Sequence, residues 1–381
     1  MKPLSRSVSS MPRSGIRMIM DRAFGLTDCI RLEVGEPNFP TPQHVIEAAD
    51  EAARSGKTRY TENPGIPELR SRIAEIFTED TGRKTEVGDV VVTTGAMAAL
   101  YTTLMSIADP GDEVIVMSPS WPNYLMQMTL LGIRPVTVST NETNGHVPTI
   151  EQLESAVSVR TKAVLLNSPC NPTGAVIDQT QMARIIDFAR RADIYVISDE
   201  VYDKIVYEGT HVSAASYDSD GRVVCIHSFS KTYSMTGWRV GYAVAPPEIA
   251  TLIRKCQEPT VSCVNAPAQY AALAALNGPQ EIIGEMRDAY RERRDEVNRL
   301  LSSSGISALN PGGAFYIWVD ISSSQRSDVD FAMDLVDKHQ VTVVPGSTFG
   351  PNNEDRVRIS LATAPDQLYE GIRRLIEESR S

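Results

Sequence analysis

A succession of short apolar runs limits what this chain can fold into more than any other feature of its sequence. Val90-Val91-Val92-Thr93, Glu113-Val114-Ile115-Val116, Pro135-Val136-Thr137-Val138, Ala163-Val164-Leu165-Leu166, Ile194-Tyr195-Val196-Ile197 and Val223-Val224-Cys225-Ile226 are each about one strand long. Runs this apolar suit strands covered on both faces, which is the condition of a parallel sheet between helices. Helical spacing separates several of them, beginning with a helix that Gly95-Ala96-Met97 opens and that runs to about Ala108. The expected fold is therefore α/β, a large domain with a mostly parallel sheet flanked by helices, joined to a smaller α+β domain.

The smaller unit is read from the two ends of the chain. Ile30-Arg31-Leu32-Glu33-Val34 reads as a strand, broken by the proline-rich loop Gly35-Glu36-Pro37-Asn38-Phe39-Pro40-Thr41-Pro42, and a helix from Gln43 to Ser55 follows. Another helix leads through Phe77. Beyond Pro246-Pro247 come an Ala-rich segment from Ala266 to Leu276 and a charged amphipathic helix from about Pro279 to Leu301, able to bridge two domains. The C-terminal part reads strand (Phe315 to Val319), helix (Val329 to His339), strand (Val341 to Val344), strand (Val357 to Leu361) and helix (Pro365 to Glu378). A length of 381 residues, 42% of them hydrophobic, supports two cores. The division expected is residues 1–45 as an N-terminal segment belonging to the small domain, 46–280 as the large domain, and 281–381 as the C-terminal small domain.

Composition excludes several functions. A formal net charge of −11 disfavours a nucleic-acid groove, which needs clustered Lys and Arg. Five cysteines without Cys-x-x-Cys spacing, and five histidines with no metal-ligand spacing, point to reduced thiols and no metal site. The start Met1-Lys2-Pro3-Leu4-Ser5-Arg6 lacks the apolar stretch of a signal peptide, and no run approaches membrane-spanning length. A cytoplasmic protein with no membrane partner is expected.

In open parallel sheets ligands lie beyond the carboxyl ends of the strands, so the residues that follow each run are the candidates. After Thr93, the N–H groups at Gly95, Ala96 and Met97 and the helix dipole suit a phosphate, as any strand-to-helix turn would. After Val116, Trp121 can lie over a planar ring or serve as core. Asn167-Ser168-Pro169-Cys170-Asn171-Pro172-Thr173-Gly174 makes a tight turn that projects an amide. After Ile197 comes Asp199, an acid whose burial needs a positive partner such as a protonated pyridine nitrogen, with Tyr202 three residues on. After Ile226 comes Ser228-Phe229-Ser230-Lys231-Thr232, then Gly237-Trp238-Arg239-Val240-Gly241. A lysine held on a turn beside a buried strand, near Arg239, is pushed towards the neutral amine that condenses with carbonyls.

Taken together, Asn-Pro-Thr-Gly, Asp-Glu-Val-Tyr and Ser-Phe-Ser-Lys with Gly-Trp-Arg-Val-Gly resemble the class I and II aminotransferases, enzymes of pyridoxal 5'-phosphate (PLP) with the fold-type I architecture, from Gly35-Glu36-Pro37 to Arg358. The resemblance implies that Lys231 carries the cofactor and later moves the proton, that Asp199 partners the pyridine nitrogen, and that Tyr202 and Asn171 donate to the ring oxygen. Trp121 would stack on the ring. Ser228, Arg239 and the start of the helix at Gly95, Ala96 and Met97 would cup the phosphate, with Tyr60 reaching the phosphate of a neighbouring subunit in a homodimer with shared active sites. Arg358 would bind the substrate α-carboxylate, with Gly35, Trp121 and Asn171 beside it. The implied reaction exchanges an α-amino acid with a 2-oxo acid. A PLP-dependent β/γ-lyase would share these residues, and a PLP-sensing regulator would need a DNA-binding domain that has no room before a resemblance beginning near residue 4. One residue departs from the pattern: aspartate-specific members usually carry a lysine where Met97 stands, so a neutral or broad amino donor is expected, with 2-oxoglutarate or pyruvate as acceptor. Arg17 is the alternative source of charge, and a solvated arginine is its plainer reading.

Overall fold

The apolar runs do become strands. The computed structural model describes residues 2–11 and 14–380, and among these it has strands β1 (Ile30–Arg31), β2 (Val90–Thr93), β3 (Glu113–Ser118), β4 (Arg134–Ser139), β5 (Thr161–Asn167), β6 (Tyr195–Asp199), β7 (Val223–Ser228), β8 (Gly241–Val244), β9 (Tyr316–Asp320), β10 (Val341–Thr342), β11 (Val344–Pro345) and β12 (Arg356–Ser360). Seven form one sheet in the order β2-β8-β7-β6-β5-β3-β4. Pairing is parallel from β7 through β6, β5 and β3 to β4. The two faces carry separate cores. Val164, Val196, Val223 and Cys225 belong to one, and Leu165, Ile197, Val224 and Ile226 to the other, as side-chain alternation along a strand requires.

The sheet departs from expectation at one edge. β8 was not among the apolar runs, and it pairs antiparallel with both β7 and β2, so β2 points the same way as β7 with a reversed strand wedged between them. Gly-Tyr-Ala-Val is too short and too mixed to announce a strand. Its first residue shows why the sequence reads so: a Cβ on Gly241 would come within 2.6 Å of the Ala96 nitrogen and 2.8 Å of the His227 carbonyl oxygen. Glycine here lets β8 lie against the start of the helix Gly95–Ile107.

The polar residues expected just after the strands are in several cases their last residues. β5 ends on Asn167 and β6 on Asp199, side by side in register, and β7 ends on Ser228. Strand ends thus set the spacing between candidate groups.

The ends of the chain meet in a second cluster, where Ile19, Ile30 and Leu32 pack with Tyr290, Val297, Ile317, Leu335 and Ile372. The expected strand from Val341 to Val344 is two pieces, because β10 pairs with β1 while β11 joins β12 and β9 in a three-stranded antiparallel sheet. β1 also stops at Arg31 rather than Val34, since the Glu33 carbonyl accepts a bond from the Arg358 side chain instead of a strand partner. The long helix Glu281–Ser303 buries Arg293 and Arg294 along with its apolar face. Arg293 donates to the Asn38 side chain at 2.8 Å and to the Leu361 carbonyl at 2.9 Å, which ties the proline-rich loop to the C-terminal segment.

Gly241→Ala tests the close approach at β8. Every atom its Cβ would meet within 3 Å is backbone, so the clash cannot be relieved by a rotamer, and overpacking of this kind costs about 1–3 kcal/mol. The expected result is a lowered urea midpoint with Gly237→Ala, whose Cβ meets nothing within 4 Å, close to the parent.

Candidate active site

A cavity of about 290 Å³ opens at the carboxyl ends of β5, β6 and β7. Its walls include Gly35, Ala96, Met97, Trp121, Asn171, Asp199, Tyr202, Ser228, Lys231, Arg239 and Arg358. Gly95 stands behind Arg239: a Cβ there would lie 2.5 Å from an Arg239 guanidinium nitrogen, and its φ of +74° is one that glycine adopts freely. Two residues singled out from the sequence lie elsewhere. Tyr60 is 90% exposed and outside this chain's own cavity. Arg17 points to solvent and pairs with Asp21 at 3.2 Å, while Ile16 and Met20 of the same helix line the cavity.

Lys231 sits in a four-residue helix, Phe229–Thr232, rather than on an open turn. The helix follows β7 directly, and Ser228 caps it by accepting from the Ser230 N–H at 3.1 Å. The Lys231 ammonium donates to the Gly35 carbonyl and lies 5.8 Å from the Phe315 ring centre. Burial lowers its pKa to about 8, with the Arg358 and Arg239 cations adding to the fall and Glu36 opposing it.

Asp199 is buried at the end of β6. One oxygen accepts from the Tyr124 hydroxyl at 2.6 Å, the other from the Val201 N–H at 3.3 Å. Burial pushes this carboxyl up to about 6 despite both bonds, and the neighbouring Glu200 charge adds to the rise. A cation placed against it in the cavity would offset that burial. The strand end is fixed by the Asn167 amide, which donates to the Asp199 carbonyl at 3.0 Å.

Arg358 is fully buried on β12, its guanidinium 4.3 Å from the Tyr316 ring centre. It donates to the Asn171 side chain at 3.0 Å and to the Glu33 carbonyl, and its Nε has no hydrogen-bond partner among the described residues. Burial lowers its pKa. Tyr202 shares a 3.0 Å hydrogen bond with the Tyr316 hydroxyl, and burial holds both phenols in their neutral forms. The sulfur of Met97 accepts from the Gln127 amide at 3.0 Å.

Sequence reasoning missed Tyr124 and Tyr316. Tyr124 had a signal, since it stands three residues after Trp121 on the first turn of the helix Pro122–Leu131, the spacing that puts two side chains on one face. Tyr316 had none, because it reaches Tyr202 from 114 residues away.

A lysine amine of lowered pKa, a buried carboxylate, a buried arginine and a helix start facing a second arginine are groups that would suit a phosphorylated aldehyde carrying a basic ring nitrogen. These residues fit pyridoxal 5'-phosphate, and the comparisons agree. The family described as aminotransferase class I and II matches residues 27–375. A probable aspartate/prephenate aminotransferase of Aquifex aeolicus is 40% identical over 93% of this chain and 91% of its own length. An aspartate aminotransferase of Thermotoga maritima is 39% identical over 98% of both chains. The solved structure of the Thermus thermophilus aspartate aminotransferase with maleate superposes with a TM-score of 0.95 at 36% identity, covering 99% of this chain and 100% of that one. The chain belongs to the class I and II aminotransferases: it is a PLP-dependent aminotransferase of α/β fold, and not the lyase or regulator that shares such residues.

Lys231 in the cofactor-free protein should react with an amine-directed acylating reagent along a titration centred near pH 8. The neutral amine is the reactive form, so a lowered pKa moves the rise in rate below that of an ordinary lysine. Peptide mapping of label against pH checks this; a midpoint near 10 would contradict the placement.

Proposed function

We propose that this enzyme transfers the amino group of neutral, or broadly accepted, α-amino acids to 2-oxoglutarate or pyruvate, acting in the cytoplasm as a homodimer whose subunits complete each other's sites. The observation that carries the reading is that one cavity joins Lys231, Asp199, Arg239 and Arg358, so amine, carboxylate, phosphate-binding and α-carboxylate-binding groups have one point of convergence. Exposed Tyr60, away from the cavity of its own chain, supports the shared site: it is free to reach the phosphate of a partner.

In this reading Lys231 and Asp199, which line one cavity, would hold the aldehyde carbon and the ring nitrogen of the cofactor. Tyr202 and Asn171 donate to the ring oxygen, Trp121 covers the ring, and Ser228, Arg239 and the N–H groups at Gly95, Ala96 and Met97 hold the phosphate. Pyridoxal 5'-phosphate, when bound, supplies a cationic ring that accepts the electron pair left at the substrate Cα. The carboxylate of Asp199 keeps the ring nitrogen protonated, and Tyr124 orients that carboxylate. Arg358 takes the α-carboxylate, held flat by Tyr316 and aimed by Asn171. Lys231, freed as a neutral amine, removes the proton at Cα and returns it on the other side of the transferred nitrogen. Gly35 lets the loop lie against Tyr316 beside the proposed substrate position, since a Cβ there would strike the Tyr316 hydroxyl.

Borohydride treatment of the yellow holoenzyme should abolish its visible absorbance and leave pyridoxyl on Lys231. Lys231→Ala should bind cofactor yet lose several orders of magnitude in turnover, since nucleophile and proton carrier disappear together. Label on Lys204 or Lys255, or near-parental turnover in the variant, would sink the assignment.

Donor choice rests on the wall around the distal end of the substrate. Ile16, Met20, Val34, Met97 and Trp121 line the cavity, and its cations among the described residues are Lys231, Arg239 and Arg358, each assigned above to the cofactor or the α-carboxylate. The relatives named aspartate aminotransferases favour a dicarboxylic donor. In this reading a second carboxylate would meet no further cation among the described residues, a loss of about 3–5 kcal/mol. At least one neutral donor should therefore have a higher kcat/KM than aspartate, and Met97→Lys should move the ratio towards aspartate by about tenfold or more. Steady-state kinetics on aspartate, glutamate and neutral and aromatic donors decide it, and a clear preference of the parent enzyme for aspartate would refute this reading.

A further inference from the structure

Glu200 follows Asp199 and turns to the opposite face of the sheet. It is completely buried, yet it is a carboxylate. Its oxygens accept from the Ser198 hydroxyl at 2.8 Å, the Ser213 hydroxyl and the Ala214 N–H at 3.1 Å each, and the Cys225 thiol at 3.4 Å. Its other oxygen meets His211 Nε2 at 3.0 Å. Burial alone would favour the protonated acid, but the charge and hydrogen bond of His211, with further help from the Ser198 hydroxyl, bring its pKa down to about 2. Burial lowers the pKa of His211, and Glu200 more than reverses the effect, so its net shift is upward. His227 behaves differently. Stacked on Tyr242 at 5.1 Å, it is held by burial in the neutral form, and its Nε2 has no hydrogen-bond partner.

The backbone between the two acids is pinned as well. The Glu200 N–H donates to the Ile226 carbonyl at 2.9 Å, and the Asp199 carbonyl is held by Asn167. Asp199 is thus fixed to a neighbour whose side chain is locked by five donors on the far side of the sheet.

We propose that Glu200 and His211 are positioning residues for Asp199, a charge pair behind the sheet that pins the strand end and sets the electrostatic potential where the ring nitrogen of the cofactor would lie. This rests on the assignment of Asp199 to that nitrogen. Glu200 supplies a fixed negative charge one residue from the front carboxylate, and protonated His211 cancels part of it. The remaining charged neighbours nearly balance: Asp203 faces Lys204 on the following turn, and Lys204 also pairs with Asp80 at 2.8 Å. Arg72 and Arg287 line the outer part of the same rear cavity, and its phenols Tyr233 and Tyr242 are neutral.

The test is a pH titration of the visible band of the holoenzyme in which the cofactor is linked to Lys231. Protonation of that chromophore adds positive charge, so a negative charge nearby raises its pKa and a positive one lowers it. His211→Gln, which leaves the Glu200 carboxylate with its four other donors, should move the titration to higher pH by about half a unit to one unit. Glu200→Gln also releases the His211 proton, which burial disfavours once the carboxylate is gone, so it and the double variant should both titrate near the parent. A shift in His211→Gln that Glu200→Gln cancels in the double variant is not what a loosened structure gives, because disorder from two replacements would add. A shift that persists in the double variant, or no shift in His211→Gln, overturns the proposal. If Glu200→Gln does not fold, His211→Gln decides alone: an upward shift supports the pair and an unchanged titration overturns it. Failure of the assignment beneath it is seen separately, as near-parental turnover in Asp199→Asn.

Discussion

The burial of one carboxylate organises this structure. Asp199 is 4% exposed, with a tyrosine hydroxyl and a single backbone N–H as its donors. Two neutral donors do not replace the water that a carboxylate loses, so its proton affinity rises. A protein gains nothing from such a group unless something positive is to be set against it. The cavity in front of Asp199 is the place for that, and the register of β5, β6 and β7 determines what else faces it.

The same constraint works on the cations from the other direction. Lys231 loses proton affinity through burial and through Arg358 and Arg239, which leaves an amine able to act near neutral pH. Arg358 stays charged in an equally dry place because Tyr316, Asn171 and the Glu33 carbonyl supply electron-rich surroundings. Its Nε is left without a hydrogen-bond partner among the described residues. The site is therefore built from unlike charges that are each short of partners, and a zwitterionic substrate with an anionic cofactor would complete the set.

Assembly draws on the whole chain. Lys231 reaches a carbonyl 196 residues away, Arg358 one 325 residues away, and Tyr202 a phenol 114 residues away. The N-terminal helix that supplies Ile16 and Met20 closes over the cavity only because the first forty residues pack with the last hundred. Contacts of this kind bring Ile16 and Met20 into the lining that Met97 shares, and donor choice in the proposed reading depends on that lining.

What the sequence determined by itself was whatever a stretch of about ten residues can encode. Unbroken apolar runs required covered strands, and the polar residue after each run had to emerge at a strand end, which is how Asp199, Ser228 and Lys231 were legible as candidates for one crevice. Glycine before a helix marked the turn at Gly95. Beyond that range the pattern was silent. β8 is a strand because two neighbours pair with it, not because Gly-Tyr-Ala-Val asks for one, and the segment from Val341 to Val344 divides because two different sheets claim its halves. Tyr316, Ile16 and Met20 face the cavity through packing between elements distant in the chain, and nothing in their local sequence distinguishes them from core. Tertiary structure alone decided them, since a side chain's surroundings are set by what the rest of the chain brings to it, while its periodicity fixes only the face on which it stands.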